Sequence, residues 1–337
     1  MGSDIGALFQ REEVALSELR GMRIAIDGNN MIYQFLSNIR QADGTPLMDR
    51  NGKITSHLTG LIYRLTNLIE IGIRPIFVFD GKPPALKART IEKRREIREV
   101  AEEKWEDAKL RGDEEAAMKY AKASARITPE IIADSKRLLD IMGIPYIDAP
   151  SEGEAQAAFL IKNGDADLVG SQDFDSLLFG ADRLVRNLAI TGKRKVPGKK
   201  IYLDVSPEII DLERNLERLG ITHEQLIDIA ILVGTDFNEG VKGIGAKTAL
   251  KLIKREGRIE KVLESLNLEI EGLEAVKSIF MRPEVRDDYT IGWREMDEEA
   301  LLHFLCDLHD FSEDRIKKAI SRLKSADQGQ MRLDKWF

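Results

Sequence analysis

Short apolar runs, each followed closely by acidic residues, alternate with longer polar or amphipathic stretches over much of the chain. Met22-Arg23-Ile24-Ala25-Ile26 runs into Asp27, and Pro75-Ile76-Phe77-Val78-Phe79 runs into Asp80. Leu168-Val169-Gly170 precedes Asp173 and Asp175, and Ile229 to Val233 precedes Asp236. Runs of this length between polar segments read as buried strands of a parallel sheet. The pattern predicts a strand at 22–27, a helix near 30–40, a hairpin or tight turn at 47–54 around Asn51-Gly52, a helix at 56–71 and a strand at 75–79. It continues with helix 129–142, strand 145–147, helix 151–163, strand 167–170 and a short helix at 174–179. Two more strand-like runs follow at 183–188 and 200–205, and from there the chain reads as almost all helix, with Ile229 to Val233 ending one. The expected fold is α/β, a mostly parallel sheet flanked by helices.

One segment, 84–126, breaks the rhythm. It is too long for an ordinary loop and rich in Lys, Arg, Glu and Ala, so it predicts one or two protruding helices. Interleaved glutamates from Glu103 to Glu115 suit a solvated helix with i,i+4 ion pairs. Lys87 and Arg94 fit that description less well, because they follow Asp80 so closely.

The acids change the picture most. In a parallel sheet, functional groups gather beyond the carboxyl ends of the strands. Asp27, Asp80, Asp173, Asp175 and Asp236 would meet there, with Glu152 and Glu154 at the start of a helix. Two carboxylates ~4 Å apart repel by roughly 4 kcal/mol at an effective dielectric near 20. A dense set therefore calls for hard divalent cations such as Mg²⁺. Any one of these acids is also explained as a turn former or cap, and Ser151-Glu152-Gly153-Glu154 fits a capping box in which Glu154 caps its own helix. The whole set is not explained that way, because its members recur at corresponding places in the strand–helix rhythm. Cations near the acids, Lys87 and Arg94, suggest a phosphate clamp.

Two more signals lie downstream. Gly243-Ile244-Gly245 separates two helices and can aim backbone N–H groups at a phosphate, beside Lys242, Lys247, Lys251 and Lys254; ordinary glycine capping is the alternative. The run Gly192 to Lys200 holds no acid, and reads equally as a solvated basic loop or a backbone contact. At the end, Gln330, Leu333, Trp336 and Phe337 share the spacing of one helical face. Such a triplet of apolar side chains on a polar tail suits a docking peptide, the alternative being a tail folded onto its own domain.

Composition sets limits. The 337 residues are 43% hydrophobic and 32% charged, which allows one large or two smaller soluble domains. No stretch is long enough to span a membrane and no secretory signal is visible. A single cysteine, Cys306, excludes an internal disulfide, so an intracellular, cytoplasmic location is the expectation. The net charge of −7 leaves room for a basic binding face, since active-site acids lower the total.

The segments Ile26-Asp27-Gly28-Asn29, Phe77-Val78-Phe79-Asp80-Gly81-Lys82-Pro83-Pro84, Ala149-Pro150-Ser151-Glu152-Gly153-Glu154-Ala155, Ser171-Gln172-Asp173-Phe174-Asp175 and Gly234-Thr235-Asp236, with the Gly243-Ile244-Gly245 turn and the terminal Gln-x-x-Leu-x-x-Trp-Phe, resemble the archaeal flap endonucleases of the structure-specific 5′-nuclease family. The resemblance runs from end to end. It implies a nuclease domain over 1–325, with a helical arch at about 84–126 and a helix–two-turn–helix DNA-binding element at about 222–256, and a flexible sliding-clamp-binding tail at 326–337. It implies two Mg²⁺ ions, with Mn²⁺ able to substitute: one held by Asp27, Asp80, Glu152 and Glu154, the other by Glu154, Asp173, Asp175 and, through water, Asp236. By the same resemblance Lys87 and Arg94 contact the scissile phosphate, Tyr33 stacks on a neighbouring nucleotide, and Gly2 brings the N-terminal amine close. Gly234, Gly243, Gly245 and Lys247 belong to the DNA-binding turn, where a monovalent cation is held near residues 240–245; Gly240 stands where some relatives carry Ser. The implied partners are branched DNA with a 5′ flap and the sliding clamp (PCNA), engaged through Gln330, Leu333, Trp336 and Phe337, for an enzyme that is itself monomeric. Two other classes compete: a metal-dependent phosphatase of small molecules, which leaves the turn, the arch and the tail unexplained, and an inert DNA-bound adaptor, which needs none of the acids.

Overall fold

The structure, a computed structural model, describes the backbone of residues 3–190, 192–195 and 202–333. Its strands are β1 (Glu12–Glu13), β2 (Arg23–Asp27), β3 (Arg74–Phe79), β4 (Tyr146–Asp148), β5 (Leu168–Gly170), β6 (Arg183–Arg186), β7 (Gly192–Lys195), β8 (Tyr202–Val205) and β9 (Glu208–Asp211). Seven of them form one sheet in the order β1-β9-β6-β5-β2-β3-β4. From β6 to β4 all pairings are parallel, whereas β9 and β1 add an antiparallel edge. β7 and β8 form a separate ribbon.

Both faces of this sheet are covered, which is why its central strands read as continuous apolar runs. Side chains alternate between two cores. Ala25, Ile76, Val78 and Val169 enter one core; Ile24, Ile26, Phe77, Phe79 and Leu168 enter the other. Helices α1 (Gly28–Asn38) and α2 (Ser56–Ile71) cover the second face. Between them the 47–54 segment makes a tight turn: Asp49 accepts the N–H groups of Asn51 and Lys53, both at 2.9 Å, and Gly52 takes φ 78°.

The 84–126 segment is two antiparallel helices, α3 (Ala88–Leu110) and α4 (Glu114–Ala123), joined at Gly112. Only Ala101 and Ala108 of α3 are buried, so the pair stands out as an arch. It leans on the 41–45 turn, where Trp105 Nε1 donates to the Asp43 carbonyl at 2.9 Å. The chain returns through α5 (Pro129–Ile141), α6 (Gly153–Lys162) and α7 (Asp175–Leu178). Helices α8 (Leu212–Leu219), α9 (His223–Val233), α10 (Ala246–Glu256), α11 (Ile259–Leu266) and α12 (Leu273–Met281) follow. α7 falls within the short helix expected at 174–179, and α8 to α12 lie in the stretch read as almost all helix; α9 contains the Ile229 to Val233 run, so Asp236 follows a helix.

Helices α13 (Glu298–Leu302) and α14 (Glu313–Leu333) close the second core, where Leu301, Phe304, Ile316 and Leu323 meet Leu58, Leu61 and Leu65. A π-helical turn at His303–Asp307, which carries the free Cys306, lies between them. Beyond residue 205, read as almost all helix, the chain also adds the strand β9. Its partner β1 is only Glu12–Glu13, a charged pair with no apolar signature. No helix among the described residues is long and apolar enough to cross a membrane.

Candidate metal centre and nucleic-acid interface

Each acid is fixed by the element that ends beneath it. Asp27 closes β2 and caps α1, its Oδ1 accepting the Asn30 N–H at 2.9 Å and its Oδ2 the Ser171 hydroxyl at 3.3 Å. Asp80 follows β3 and accepts the Gly153 N–H at 2.7 Å, which ties β3 to the first turn of α6. A Cβ on Gly153 would stand 2.8 Å from that carboxylate oxygen, so a glycine is needed there. Asp173 accepts from Asn30 Nδ2 at 3.0 Å, and Asp175 from the Ser3 N–H at 3.0 Å. Glu154 does not cap α6: the helix has no side-chain cap, and Glu154 Oε1 is shielded from solvent with no hydrogen-bond partner.

The acids feel one another. Burial first, then the charges of Asp80 and Asp173, push Asp27 up to about 8. Glu154 is raised well above the carboxylate range by burial and by Asp175, Asp27 and Asp173. Burial and then the charges of Asp173 and Asp236 raise Asp175 to about 6, against the Ser3 N–H bond. Glu152 is raised by burial, an effect opposed by Lys87. Thus the seven acids named in the sequence lie in one connected patch. Among the described residues no three acidic, histidine or cysteine side chains already form a closed ligand set. The chemistry nevertheless fits hard divalent cations: oxygen donors only, mutual repulsion, and an orphaned shielded oxygen on Glu154.

Asp27, Glu154 and Asp175 have folded-state pKa values above the ordinary ~4 of an unfolded chain. Their contribution to stability is complete below that value and is lost as pH rises through about 6 for Asp175 and about 8 for Asp27. Chelator-treated protein should therefore melt higher at pH 6 than at pH 8, and Mg²⁺ should raise the melting temperature more at pH 8. Scanning calorimetry at both pH values, with and without Mg²⁺, checks this; a metal-free protein that melts lower at pH 6 contradicts it.

The base of the arch reaches the same patch. Lys87 ends a 3₁₀ turn ahead of α3, and its Nζ pairs with Glu152 and, at 3.4 Å, with Asp236. Burial opposes the Lys87 ammonium, but Glu152, Asp236 and Asp80 outweigh it and raise its pKa. Arg94, about two helical turns on, pairs with the other Asp236 oxygen. Lys93 reaches Glu239 beside it. Tyr33 lies on α1, half-buried, within electrostatic reach of Arg40 and the arch residue Arg98.

Asp236 sits in the turn between α9 and α10. Gly234 caps α9 with φ 111°. Gly240 has φ 69°, and a Cβ there would meet the Val233 carbonyl carbon at 2.4 Å, so glycine is required at this position. Gly243 also has positive φ, 85°. Gly245 does not: its φ is −93°, and a Cβ would meet nothing within 4 Å. Nothing inside the protein asks for glycine there. Gly245 leads into α10 with no side-chain cap, and Lys247 is exposed in the first turn.

Gln330 and Leu333 fall on the last turns of α14, while Gly2, Trp336 and Phe337 lie outside the described residues, as do Val196 to Lys200 of the basic run. Sequence reasoning missed Asn30, Ser171 and Ser3, which hold the acids. Asn30, three residues after Asp27, and Ser171, two before Asp173, were legible as polar side chains at strand ends.

Known proteins match this chain over most of its length. The XPG N-terminal domain matches residues 6–101 and the XPG I-region matches residues 143–236. Flap endonuclease 1 of Methanosarcina barkeri is 56% identical over 338 residues, covering all of both chains. That of Archaeoglobus fulgidus is 56% identical over 337 residues, again covering all of both. The solved flap endonuclease-1 from Methanococcus jannaschii matches with a TM-score of 0.78 at 43% identity, covering 98% of this chain and 100% of that one. The catalytic core of Rad2 in complex with DNA substrate matches with a TM-score of 0.71 at 26% identity, covering 95% and 97%. This chain belongs to the flap endonuclease 1 family of XPG-type nucleases.

Proposed function

We propose that the chain is a 5′-flap endonuclease and 5′–3′ exonuclease that hydrolyses DNA phosphodiester bonds with two Mg²⁺ ions, Mn²⁺ being able to substitute, in Okazaki fragment maturation and repair. The observation that carries this reading is the joining of Lys87 and Arg94 at the arch base to Glu152 and Asp236 of the acid patch. Asp27, Asp80, Glu152 and Glu154 are assigned to one ion, and Glu154, Asp173, Asp175 and Asp236 to the other. Bound there, the ions supply a water activated at neutral pH and charge stabilisation for the departing oxygen.

The residues of the chain do the rest. The carboxylates act as ligands and not as general acid and base. Lys87 and Arg94 exchange their carboxylate partners for the phosphate and meet the charge that builds on it. Tyr33 offers a stacking face to the adjacent base. Gly234, Gly243, Gly245 and the α10 N-terminus, with Lys247, take the duplex backbone, and the bare backbone at Gly245 leaves room for a phosphate to approach. The carbonyls around 240–245 are assigned to a monovalent cation, and the N-terminal amine at Gly2 to the catalytic neighbourhood. Recognition through backbone and shape gives low sequence specificity. The Rad2 core, solved with a DNA substrate, supports a nucleic-acid partner.

The discriminating experiment supplies Mg²⁺, a labelled 5′-flap duplex and a small phosphate ester. Cleavage of the flap alone is expected; turnover of the ester alone would favour a small-molecule phosphatase.

The tail is assigned to the sliding clamp. Leu333, Trp336 and Phe337 are expected to enter an apolar pocket, with Gln330 making a polar contact beside it. Buried aromatic anchors contribute ~2 kcal/mol or more each to an interface. Deleting residues 330–337 should therefore remove clamp binding and clamp stimulation and leave clamp-free cleavage unchanged. Equal impairment of the clamp-free reaction would place the tail in the folded enzyme instead.

A further inference from the structure

From Arg282 to Asp297, between α12 and α13, the chain forms neither helix nor strand. Specific bonds nevertheless strap it across α6 and β3. Tyr289 donates its hydroxyl to Asp165 at 2.6 Å and accepts from Asn163 at 3.1 Å. Trp293 Nε1 donates to the Pro75 carbonyl at 3.0 Å, near the start of β3. The best-shielded anchor is Gln156, which is 0% exposed. Its Nε2 donates to the Arg286 carbonyl at 2.8 Å, and its Oε1 accepts the Arg286 N–H at 2.7 Å. One buried side chain thus satisfies both backbone groups of one strap residue.

Gln156 lies four residues after Glu152, on the same face of the helix. Glu152 and Ala155, with Ser278, Arg282 and Glu284, line a cavity of about 300 Å³ beside the start of α6. The first turn of α6 has open space beside it and no side-chain cap. What holds it on the strap side is the Gln156–Arg286 pairing. On the other side are the Gly153–Asp80 bond and the Lys87–Glu152 ion pair, and Lys87 must leave Glu152 to serve a phosphate.

We propose that Gln156 is a positioning residue for Glu152: by locking α6 to the strap at Arg286, it keeps the Glu152 carboxylate aimed at the divalent-cation site once Lys87 has let go. This rests on the reading of Glu152 as a cation ligand. If Gln156 only filled space, an apolar side chain of similar volume would serve equally well. In Gln156→Met the Arg286 N–H and carbonyl lose their partners, and the first turn of α6 is free to move into the cavity.

The test uses full-length protein and compares Gln156→Met with Tyr289→Phe, which loosens the same strap away from Glu152. Three quantities are measured: Mn²⁺ binding to the DNA-free protein by titration calorimetry, single-turnover flap cleavage across a Mg²⁺ titration, and melting temperature. Gln156→Met should weaken Mn²⁺ binding by roughly tenfold, the range seen when a group supporting a metal ligand is removed. It should also shift the Mg²⁺ needed for half-maximal cleavage upward by a similar factor, with recovery at high Mg²⁺. Tyr289→Phe should lower the melting temperature yet keep both metal values. Gln156→Glu retains the acceptor for the Arg286 N–H and should fall between wild type and Gln156→Met; it carries the test if Gln156→Met does not fold. Unchanged Mn²⁺ affinity in the folded Gln156 variants overturns the proposal. So do equal losses in Tyr289→Phe, which would indicate general loosening. A wild-type protein that neither binds Mn²⁺ nor cleaves a flap would defeat the underlying assignment of the metal centre, an outcome visible before any variant is made.

Discussion

Asp173→Ala should abolish flap cleavage while leaving flap-DNA binding largely intact. Asp173 is the acid whose charge acts on Asp27, Glu154 and Asp175 alike. Under the proposed assignment, removing it deletes a ligand from the second ion and leaves the arch base and the α9–α10 turn untouched. The same change should stabilise the metal-free protein near pH 8, because it relieves repulsion on three neighbours at once. It should correspondingly shrink the gain in melting temperature that Mg²⁺ confers. Single-turnover cleavage, flap binding with Ca²⁺ in place of Mg²⁺, and calorimetry in chelator give the three readouts. Near-normal cleavage by the variant would remove the two-ion assignment, and a loss confined to binding would relocate Asp173 to the DNA surface.

Arg94→Ala should slow the chemical step by roughly 100- to 1000-fold, the cost of removing one preorganised donor from a transition-state charge. Binding of the flap should weaken far less, because a clamp on developing charge acts mainly in the transition state. The structure adds a second expectation. Arg94 pairs with Asp236, so alanine leaves that largely buried carboxylate with one cation, Lys87, in place of two. Rates and binding constants measured on the same flap at the same salt separate the two roles. If only binding suffers, and the salt dependence of binding flattens, Arg94 is a phosphate-backbone contact and no more.

Much of this was legible because two periodicities are strict. Strands buried on both faces must be apolar throughout, so β2, β3 and β5 stood out, and the acids ending them followed from the parallel topology. The arch was legible from what it lacks: α3 carries almost no buried side chain, and its charge pattern has no core face to serve. Elements held by something other than apolar periodicity were not legible. β1 is two glutamates at the sheet edge, and β9 is four residues with only Ile209 and Ile210 apolar, so their position depends on the neighbouring strand more than on their own composition. The strap from Arg282 to Asp297 has no period at all; it is defined by single bonds such as those of Gln156 and Trp293, which join residues more than a hundred positions apart. The acids that the fold brings into one patch were named from the sequence, and the groups that hold them were not. Ser151-Glu152-Gly153-Glu154 also fits a cap for Glu154, and the structure excludes that reading: the helix has no side-chain cap and the Glu154 oxygen has no partner.

The second core has a consequence for synthesis. Asp27 and the other acids all lie before residue 237, yet the side chains of α2 that support α1 and β2 are covered by Leu301, Phe304, Ile316 and Leu323. A chain emerging from the ribosome holds its full set of acids well before it holds the helices that seal the layer beneath them. Until α14 has emerged, the side of α2 that it packs against lacks that cover. A late helix, α14, therefore completes the footing of the first acid, and a nascent chain truncated before Glu298 carries the acids on an unsealed scaffold.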